Sequence, residues 1–301
     1  MSDGVFLAIV NPAAGGGRQR NMLLPALERL RSGKVQVEVK ETSAPGQAAE
    51  IAREAYRRGQ RRFIAVGGDG TSYEIVNGLF PETQNGERPT LGFLPLGTGN
   101  SFLRDFSERG LEHAMESLLA GQSQPCDVLR LKHEAGTIYY INILSVGFSA
   151  DVATLRARRF SGWGESGYQT AILLTLARFR RRPFPLRVNG GSEIDRRPCL
   201  FLTFNNSKFT GGTMMIAPKA VVNDGLIEYV RWGPIGRVGL IRNLPTLYDG
   251  THINHPLAER QAVKRIDFEL DAPVDVMVDG EVITLRCEML DVLPSALNVV
   301  A

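Results

Sequence analysis

In the first 125 residues, short apolar runs alternate with segments whose apolar residues have helical spacing. These two patterns predict strands and helices in alternation. Short apolar runs, such as GVFLAIV at 4–10 and TLGFLPL at 90–96, are typical of buried strands. In residues 18–31, leucines at positions 23, 24, 27 and 30 mark one face of a helix. The predicted order is β, α, β, α, β, α, β, followed by a helical stretch to about residue 119. This alternation predicts βαβ units around a mostly parallel sheet.

From Asp127 onward the apolar positions recur with a period of two, which predicts antiparallel strands. Residues 247–270 and 274–290 show this pattern, and Asp-Gly turns separate such runs. One helical insert is predicted at about residues 149–179. The predicted fold class is α/β, with an N-terminal Rossmann-like parallel domain and a C-terminal, mainly antiparallel β-sandwich domain that carries the insert. The predicted domains are residues 1–127 and 128–288, and a return of the tail, about 289–301, to the first domain is left open.

Composition narrows the class of protein. The chain has 301 residues, of which 43% are hydrophobic and 22% charged, and 35 basic against 32 acidic residues leave a net charge of only +3. These values are ordinary for a globular protein and give no reason to expect a nucleic-acid partner. Three widely separated cysteines predict neither a disulfide framework nor a zinc site, which fits a reducing cytoplasm. No apolar run of about 18 residues occurs, so no transmembrane segment is expected.

Glycine-rich or threonine-bearing loops follow each of the four predicted strands of the first domain. They are NPAAGGG from Asn11, the segment at Thr42, GGDGT at 67–71, and PLGTGN at 95–100. In parallel α/β sheets, such loops lie at the carboxyl ends of the strands, where free N–H groups of helix N-termini attract phosphate. One glycine loop can serve a tight turn alone, but three at one sheet edge favour a phosphate site.

A carboxylate, Asp69, lies among these predicted phosphate-binding amides. It would repel a phosphate unless a hard divalent cation intervened, and Mg²⁺ commonly bridges carboxylates to substrate phosphates. The loop pattern therefore predicts Mg²⁺ with a nucleoside triphosphate. The alternative is an Asx-turn or an N-cap aspartate that binds backbone N–H groups.

Later blocks of the chain add a family resemblance. They are YINILSVGFSADV at 140–152, the segment 204–230 with its VNDG turn, and VDGEV at 278–282. With GGDGT and PLGTGN in this order, the sequence resembles the diacylglycerol-kinase-like lipid kinases, which include bacterial soluble lipid kinases, sphingosine kinases and ceramide kinases. The resemblance covers essentially the whole chain. GGDGT alone also occurs in NAD kinases and phosphofructokinases, whereas the combination is specific.

The resemblance implies roles for particular residues. It places ATP against Asn11, Thr42, Gly67, Gly68, Asp69, Gly70, Thr71 and Thr98. It implies a structural Mg²⁺ held by the Asp224 carboxylate and the carbonyl groups of Val221 and Leu226. It makes Glu281 the proton acceptor, with Asp69 as the competing base. Read without the family, Asp224 and Glu281 are ordinary turn residues.

Two positions depart from the family pattern. Tyr73 stands where GGDGTxNE has asparagine, and Ser101 stands where GTxND has aspartate. In the family, the aspartate at the position of Ser101 can join Asp69 and an equivalent of Asp127 in an acidic metal network. Asp105, one helical turn further along, is a candidate substitute.

The predicted function is an ATP- and Mg²⁺-dependent lipid kinase that transfers the γ-phosphoryl group to a diacylglycerol-like or sphingoid-like hydroxyl. The alternatives are a kinase of NAD or another small metabolite, and a catalytically silent lipid- or nucleotide-binding module. The predicted location is cytoplasmic, with peripheral attachment at the inner membrane surface and a homodimer both left open. The insert either docks on anionic lipid or is a core helix with a solvated basic end. Its arginines are Arg156, Arg158, Arg159, Arg178, Arg180, Arg181 and Arg182.

Overall fold

The computed structural model describes most of the chain as two compact units. The described residues are 4–14, 19–80, 82–85, 87–97, 100–160, 170–171, 174–176 and 181–301. The first unit comprises residues 1–128 and 293–301, and the second comprises residues 129–292. The predicted division into a nucleotide domain and a lipid domain concerns function and stays a prediction.

The first unit alternates strands and helices, as the sequence pattern predicts. Its strands are β1 (Phe6–Val10), β2 (Val37–Glu41), β3 (Arg62–Val66), β4 (Thr90–Leu94), the start of β5 (Gln124–His133) and the end of β17 (Cys287–Val300). Its helices are α1 (Gln19–Ser32), α2 (Gln47–Arg57), α3 (Asp69–Leu79) and α4 (Leu111–Ala120), with 3₁₀ turns at Glu82–Asn85 and Phe102–Asp105. Helix α3 begins at Asp69, three residues before Ser72, where its apolar pattern predicts the start.

The strands of the first unit form a parallel sheet in the order β2, β1, β3, β4, β17. Phe6 of β1 aligns with Val37 of β2, and Thr90 of β4 aligns with Asn298 of β17. The central strands β1 and β3 are almost wholly buried, because helices cover both faces of such a sheet. The edge strand β2 is mostly exposed. In this arrangement the carboxyl ends of β1 to β4 lie at one edge of the sheet.

The second unit is mainly antiparallel. Its strands are the rest of β5 and β17, with β6 (Gly136–Tyr140), β7 (Ile143–Gly147), β8 (Leu186–Val188), β9 (Phe201–Asn205), β10 (Phe209–Thr210), β11 (Met214–Met215), β12 (Ile227–Trp232), β13 (Ala258–Val263), β14 (Arg265–Phe268), β15 (Val274–Val278) and β16 (Glu281–Leu285). Its helices are α5 (Phe148–Arg159), α6 (Arg237–Asn243) and α7 (Thr246–Asp249), and a 3₁₀ turn covers Thr251–Asn254.

A six-stranded antiparallel sheet, in the order β13, β12, β9, β7, β15, β16, is the centre of the second unit. Its core contains Trp232, Phe201, Leu240 and Leu247. The predicted fold class is confirmed, since a parallel α/β unit is joined along the chain to an antiparallel, β-sandwich-like one.

Two local predictions in the second unit are wrong. Residues 247–249 lie in a helix and Thr251–Asn254 form a 3₁₀ turn, where a strand was predicted, because Pro245 has the helical φ of −58° and Gly250, at φ 77°, ends the helix. Helix α6 was not predicted either, since only one helical insert was expected.

The segment 220–226 is also not a hairpin arm, although its Asn-Asp-Gly sequence predicts one. It forms an irregular turn, while the following strand β12 pairs with β9 and β13. Two strands distant in sequence therefore take the positions that a hairpin partner would have filled.

Candidate functional site

The loops that follow β1, β2, β3 and β4 meet through backbone hydrogen bonds. The Thr42 N–H donates to the Val10 carbonyl at 2.8 Å, and the Asn11 N–H donates to the Val66 carbonyl at 3.1 Å. The Gly67 N–H donates to the Leu94 carbonyl at 3.1 Å. The strand-end loops predicted from sequence are thus adjacent in the folded unit.

Two of these loops approach so closely that only glycine fits. A Cβ at Gly97 would lie 2.8 Å from the Gly68 nitrogen, and the Gly97 N–H donates to the Gly67 carbonyl at 3.0 Å. A Cβ at Gly67 would collide with the Thr71 hydroxyl. In the loop after β4, the Asn100 side-chain NH₂ group donates to the Gly97 carbonyl and stabilises the turn. Thr98, the remaining predicted ATP contact, lies outside the described residues, as do residues 15–17 of the first loop.

The N-terminus of α3 has polar groups that a ligand could hydrogen-bond. Gly68 is its N-cap residue and supplies no side-chain cap, and the Gly68 carbonyl accepts the Thr71 N–H at 3.0 Å. The Thr71 hydroxyl is buried and has no hydrogen-bond partner in the described part of the chain. A buried hydroxyl without a partner costs about 1–3 kcal/mol, so a polar ligand at this position would relieve a real penalty.

Asp69 joins the third loop to the fourth. Its carboxylate accepts the Ser101 backbone N–H at 2.9 Å, and the Ser101 hydroxyl and the Phe102 N–H also donate to it. Burial raises the pKa of Asp69, and these donors hold part of that rise back. Asp69 therefore caps the 3₁₀ turn that begins at Phe102, in another loop, whereas the N-cap alternative considered above concerned α3, of which Asp69 is the first residue. Capping is compatible with binding a cation, because a carboxylate has several lone pairs.

Ser101, the departure from the family pattern, is thus a direct partner of Asp69. It is 2% exposed, and it replaces an anionic neighbour of Asp69 with a hydrogen-bond donor. Asp127 lies in the same unit and is fully buried, with one carboxylate oxygen accepting the Ser295 N–H at 2.6 Å.

Sequence reasoning missed Glu74, which positions the loop at Thr42. Its two carboxylate oxygens accept the N–H groups of Gly46 and Ala48 at 2.9 and 3.1 Å, at the start of α2. Glu74 is therefore the cap that α2 lacks locally, since Gly46 has no side chain to act as one. The glutamate of the family's GGDGTxNE pattern was the available signal.

The predicted structural metal site lies on the irregular turn at 221–226. Asp224 is exposed, and its carboxylate accepts the Leu226 N–H at 3.0 Å. Partial burial raises the pKa of Asp224, the Leu226 N–H lowers it, and the Glu228 carboxylate raises it further. No cluster of three metal-binding side chains occurs among the residues described. One carboxylate with carbonyl groups is nevertheless an oxygen-only donor set, which suits Mg²⁺ with retained water.

Glu281, the predicted base, is exposed and is the first residue of β16, paired with Val278 across a tight hairpin. The turn residues Asp279 and Gly280 both have positive φ, 46° and 93°, as a type I′ turn requires.

The residue that sequence reasoning missed here is Asp279 itself. It is 2% exposed, and its carboxylate accepts three backbone N–H groups, from Ile141 and Asn142 at 3.1 Å and from Ile143 at 2.8 Å. Asp279 therefore fixes the hairpin that carries Glu281 to the start of β7.

Comparison with known families covers both units. The family described as diacylglycerol kinase catalytic domain matches residues 5–131, and the family described as YegS C-terminal NAD kinase beta sandwich-like domain matches residues 142–301. The chain belongs to the diacylglycerol-kinase-like lipid kinases. This confirms the resemblance and makes the protein a phosphotransferase of the lipid-kinase type.

Individual members of this lipid-kinase family align over nearly the full length. A protein named "Diacylglycerol kinase" from Mycobacterium tuberculosis (strain ATCC 25618 / H37Rv) is 26% identical, over 98% of this chain and 94% of that protein. "Probable lipid kinase YegS-like" from Enterobacter sp. (strain 638) is 28% identical, over 97% and 94%. The crystal structure of a diacylglycerol kinase from Bacillus anthracis str. Sterne shares the fold, with a TM-score of 0.72 and 19% identity over 100% of this chain and 98% of that one.

The described helices include none with the length and apolar character needed to cross a bilayer. In the arginine-rich insert, Arg156, Arg158 and Arg159 end helix α5, and Arg182 forms an ion pair with Asp151 at 2.6 Å. Arg178 and Arg180 lie outside the described residues, so the predicted docking role of the insert stays a prediction.

Proposed function

We propose that this lipid-kinase family member uses ATP and Mg²⁺ to phosphorylate a hydroxyl group of a diacylglycerol-like or sphingoid-like lipid. One observation carries the nucleotide part of the proposal: the N-terminus of α3 combines uncapped backbone N–H groups with the buried, unpartnered Thr71 hydroxyl. Such a terminus is well suited to bind a phosphate.

In this proposal the first unit binds ATP through Asn11, Thr42, Gly67, Gly68, Asp69, Gly70, Thr71 and Thr98. The Asn11 side chain already turns its own loop, because its oxygen accepts the Ala13 N–H at 3.0 Å. The Thr42 hydroxyl is buried near the Val10 carbonyl. Because glycines have no Cβ, phosphate oxygens could approach the backbone of these loops closely, as a phosphate-binding loop requires.

The cation part rests on carboxylate chemistry. Asp69 is the residue proposed to hold the Mg²⁺ of the nucleotide, and Asp224 with the Val221 and Leu226 carbonyl groups is the proposed structural site. When bound, the cation would neutralise charge on the phosphates during transfer.

The acceptor hydroxyl needs a residue that removes its proton, because phosphoryl transfer otherwise depends on alignment and charge stabilisation. Glu281 is the proposed acceptor of that proton, and Asp69 remains the competing base. The lipid oxygen bonds to the γ-phosphorus as the bond to the β–γ bridging oxygen breaks, leaving ADP. A cytoplasmic site of action at the inner membrane surface completes the proposal.

The test is mass spectrometry of a total lipid extract after incubation with the protein, ATP and Mg²⁺. We expect a lipid heavier by one phosphate, and no product with Asp69→Asn. Glu112→Gln, which alters an exposed carboxylate paired with Arg29, is the matched control and should keep full activity. Turnover by Asp69→Asn equal to that of the wild type would contradict the proposal.

A second variant separates binding from folding. Thr71→Val removes the unpartnered hydroxyl at almost constant volume, so the free energy of unfolding should stay constant or rise by about 1 kcal/mol. The affinity for ATP should fall about five- to tenfold, the loss of one hydrogen bond. Unchanged ATP affinity would remove Thr71 from the site.

An NAD kinase is the second candidate, because the family that matches residues 142–301 is described as NAD kinase beta sandwich-like. The same incubation with NAD in place of lipid tests it. Phosphorylation of NAD but not of any lipid would favour this candidate. Nucleotide binding without any transfer would favour a silent binding module.

A further inference from the structure

Residues 237–249 of the second unit follow one continuous helical path. Helices α6 and α7 are separated only by Leu244 and Pro245, and both of these residues have right-handed helical dihedral angles, −54°/−43° and −58°/−34°. Helical spacing therefore relates side chains across the whole segment.

The inner face of this segment packs into the core. Leu240 and Leu247 are 1% and 6% exposed and belong to the same core cluster as Trp232. They are seven residues apart, which is about two turns of a helix, so they lie on the same side.

A second apolar surface faces solvent, and we name it the outer stripe. It consists of Val238, Ile241, Pro245 and Tyr248, with Val238 62%, Ile241 53% and Tyr248 44% exposed. Their spacing of three, four and three residues places them on one line along the helical path. A helix that buries one apolar face does not need a second apolar face for folding. The exposed outer stripe therefore indicates an interaction site.

Basic side chains flank the outer stripe. At about 100° per residue, Arg237 and Arg242 fall on opposite sides of it. Both are exposed, and neither forms an ion pair with any residue that the structure describes. The exposed Arg181 guanidinium lies beside Gly236 at the amino end. One acid, Asp249, ends the stripe, and it accepts the N–H and the hydroxyl of Thr251.

We propose that the outer stripe docks on an anionic lipid bilayer, with its apolar side chains at the acyl boundary and its arginines at the headgroups. Apolar residues between cations on one helical face are typical of interfacial membrane helices. Four side chains are too few for a specific protein interface, which buries roughly 1,200–2,000 Å². The inference rests on the proposed function, because a lipid kinase must reach its substrate in a bilayer.

The first experiment is co-sedimentation with vesicles of phosphatidylcholine and phosphatidylglycerol. The double variant Val238→Asp/Ile241→Asp should bind at least about tenfold more weakly, since two apolar groups are lost. The matched control is Leu24→Asp, which alters an equally exposed leucine, 66% exposed, on α1 of the first unit and should bind as the wild type does. Equal binding by the double variant and the wild type would overturn the proposal.

The second experiment tests the charge. Arg242→Glu should weaken binding by about fivefold or more, because each basic residue near an anionic surface contributes about that factor. Arg31→Glu, at the exposed end of α1, is the control. Vesicles of phosphatidylcholine alone should show little difference between these two variants. A loss of binding that is equal for both arginines would show unspecific attraction and overturn the assignment.

Two further measurements separate this inference from its rivals. Light scattering on the double variant should give the wild-type mass, and a smaller assembly would show that the stripe joins copies of the chain instead. Phosphorylation of a water-soluble short-chain diacylglycerol should be unchanged in the double variant. If the wild type fails to phosphorylate any lipid but binds vesicles through the stripe, the proposed function fails while the docking surface stands.

Discussion

Asp279→Asn tests how strongly one buried carboxylate holds the predicted base in place. One carboxylate oxygen of Asp279 accepts the N–H groups of Asn142 and Ile143, and the other accepts that of Ile141. Asparagine also tolerates the positive φ of 46° at this turn, so the substitution changes charge and hydrogen bonding with little backbone strain.

The magnitude follows from these three bonds. A hydrogen bond to a charged group contributes about 1.5–3 kcal/mol, and a neutral one about 1 kcal/mol. The asparagine oxygen can keep two bonds in neutral form, while its NH₂ group faces the Ile141 N–H and leaves that donor unpaired. We therefore expect the free energy of unfolding to fall by about 3–5 kcal/mol.

Urea unfolding, followed by circular dichroism, measures this loss. Asp275→Asn is the control: it lies in β15 of the same hairpin, and among the described residues its carboxylate accepts only threonine hydroxyl groups, from Thr154 and Thr284. It should cost about 1 kcal/mol or less. Turnover of Asp279→Asn should also fall, at unchanged ATP affinity, because Glu281 loses its support. A loss of stability below about 1 kcal/mol would refute the reasoning.

Three other predictions follow from single contacts. Gly97→Ala should weaken ATP binding about tenfold and cost about 1–3 kcal/mol of stability, since its Cβ meets the Gly68 backbone; calorimetry and urea unfolding measure both. Ser101→Ala should raise the pKa of Asp69 further, so the acid limb of kcat/KM moves to higher pH, and an unshifted profile would disprove the link. Burial lowers the pKa of His252 below its usual 6.5, so the folded protein favours the neutral imidazole. The stability that this contributes is present above pH 6.5 and is lost as the pH falls through the pKa of His252 in the folded state. The urea midpoint of His252→Gln should lack this pH dependence.

Much of the first unit was predictable because its strands and helices are specified by patterns among residues that are close together in the chain. Apolar runs of strand length and leucines at helical spacing predicted β1 to β4 with their helices, and parallel strands bring their carboxyl ends to one edge. The glycines of GGDGT and PLGTGN could therefore be placed together before their contacts were known. The VDGEV hairpin was also predictable from a local signal, because Asp-Gly favours a type I′ turn.

The sequence by itself determined the alternation of elements, the edge at which the strand-end loops gather, and family membership through motif order. Only the tertiary structure decided that Ser101 donates to Asp69, that Glu74 caps α2, and that Asp279 is buried under three N–H groups. It also made residues 247–249 helical where an alternating pattern predicted a strand. The physical reason is that periodicity and turn chemistry depend on neighbours in the chain, whereas a carboxylate's partners and a segment's burial depend on residues far away in sequence.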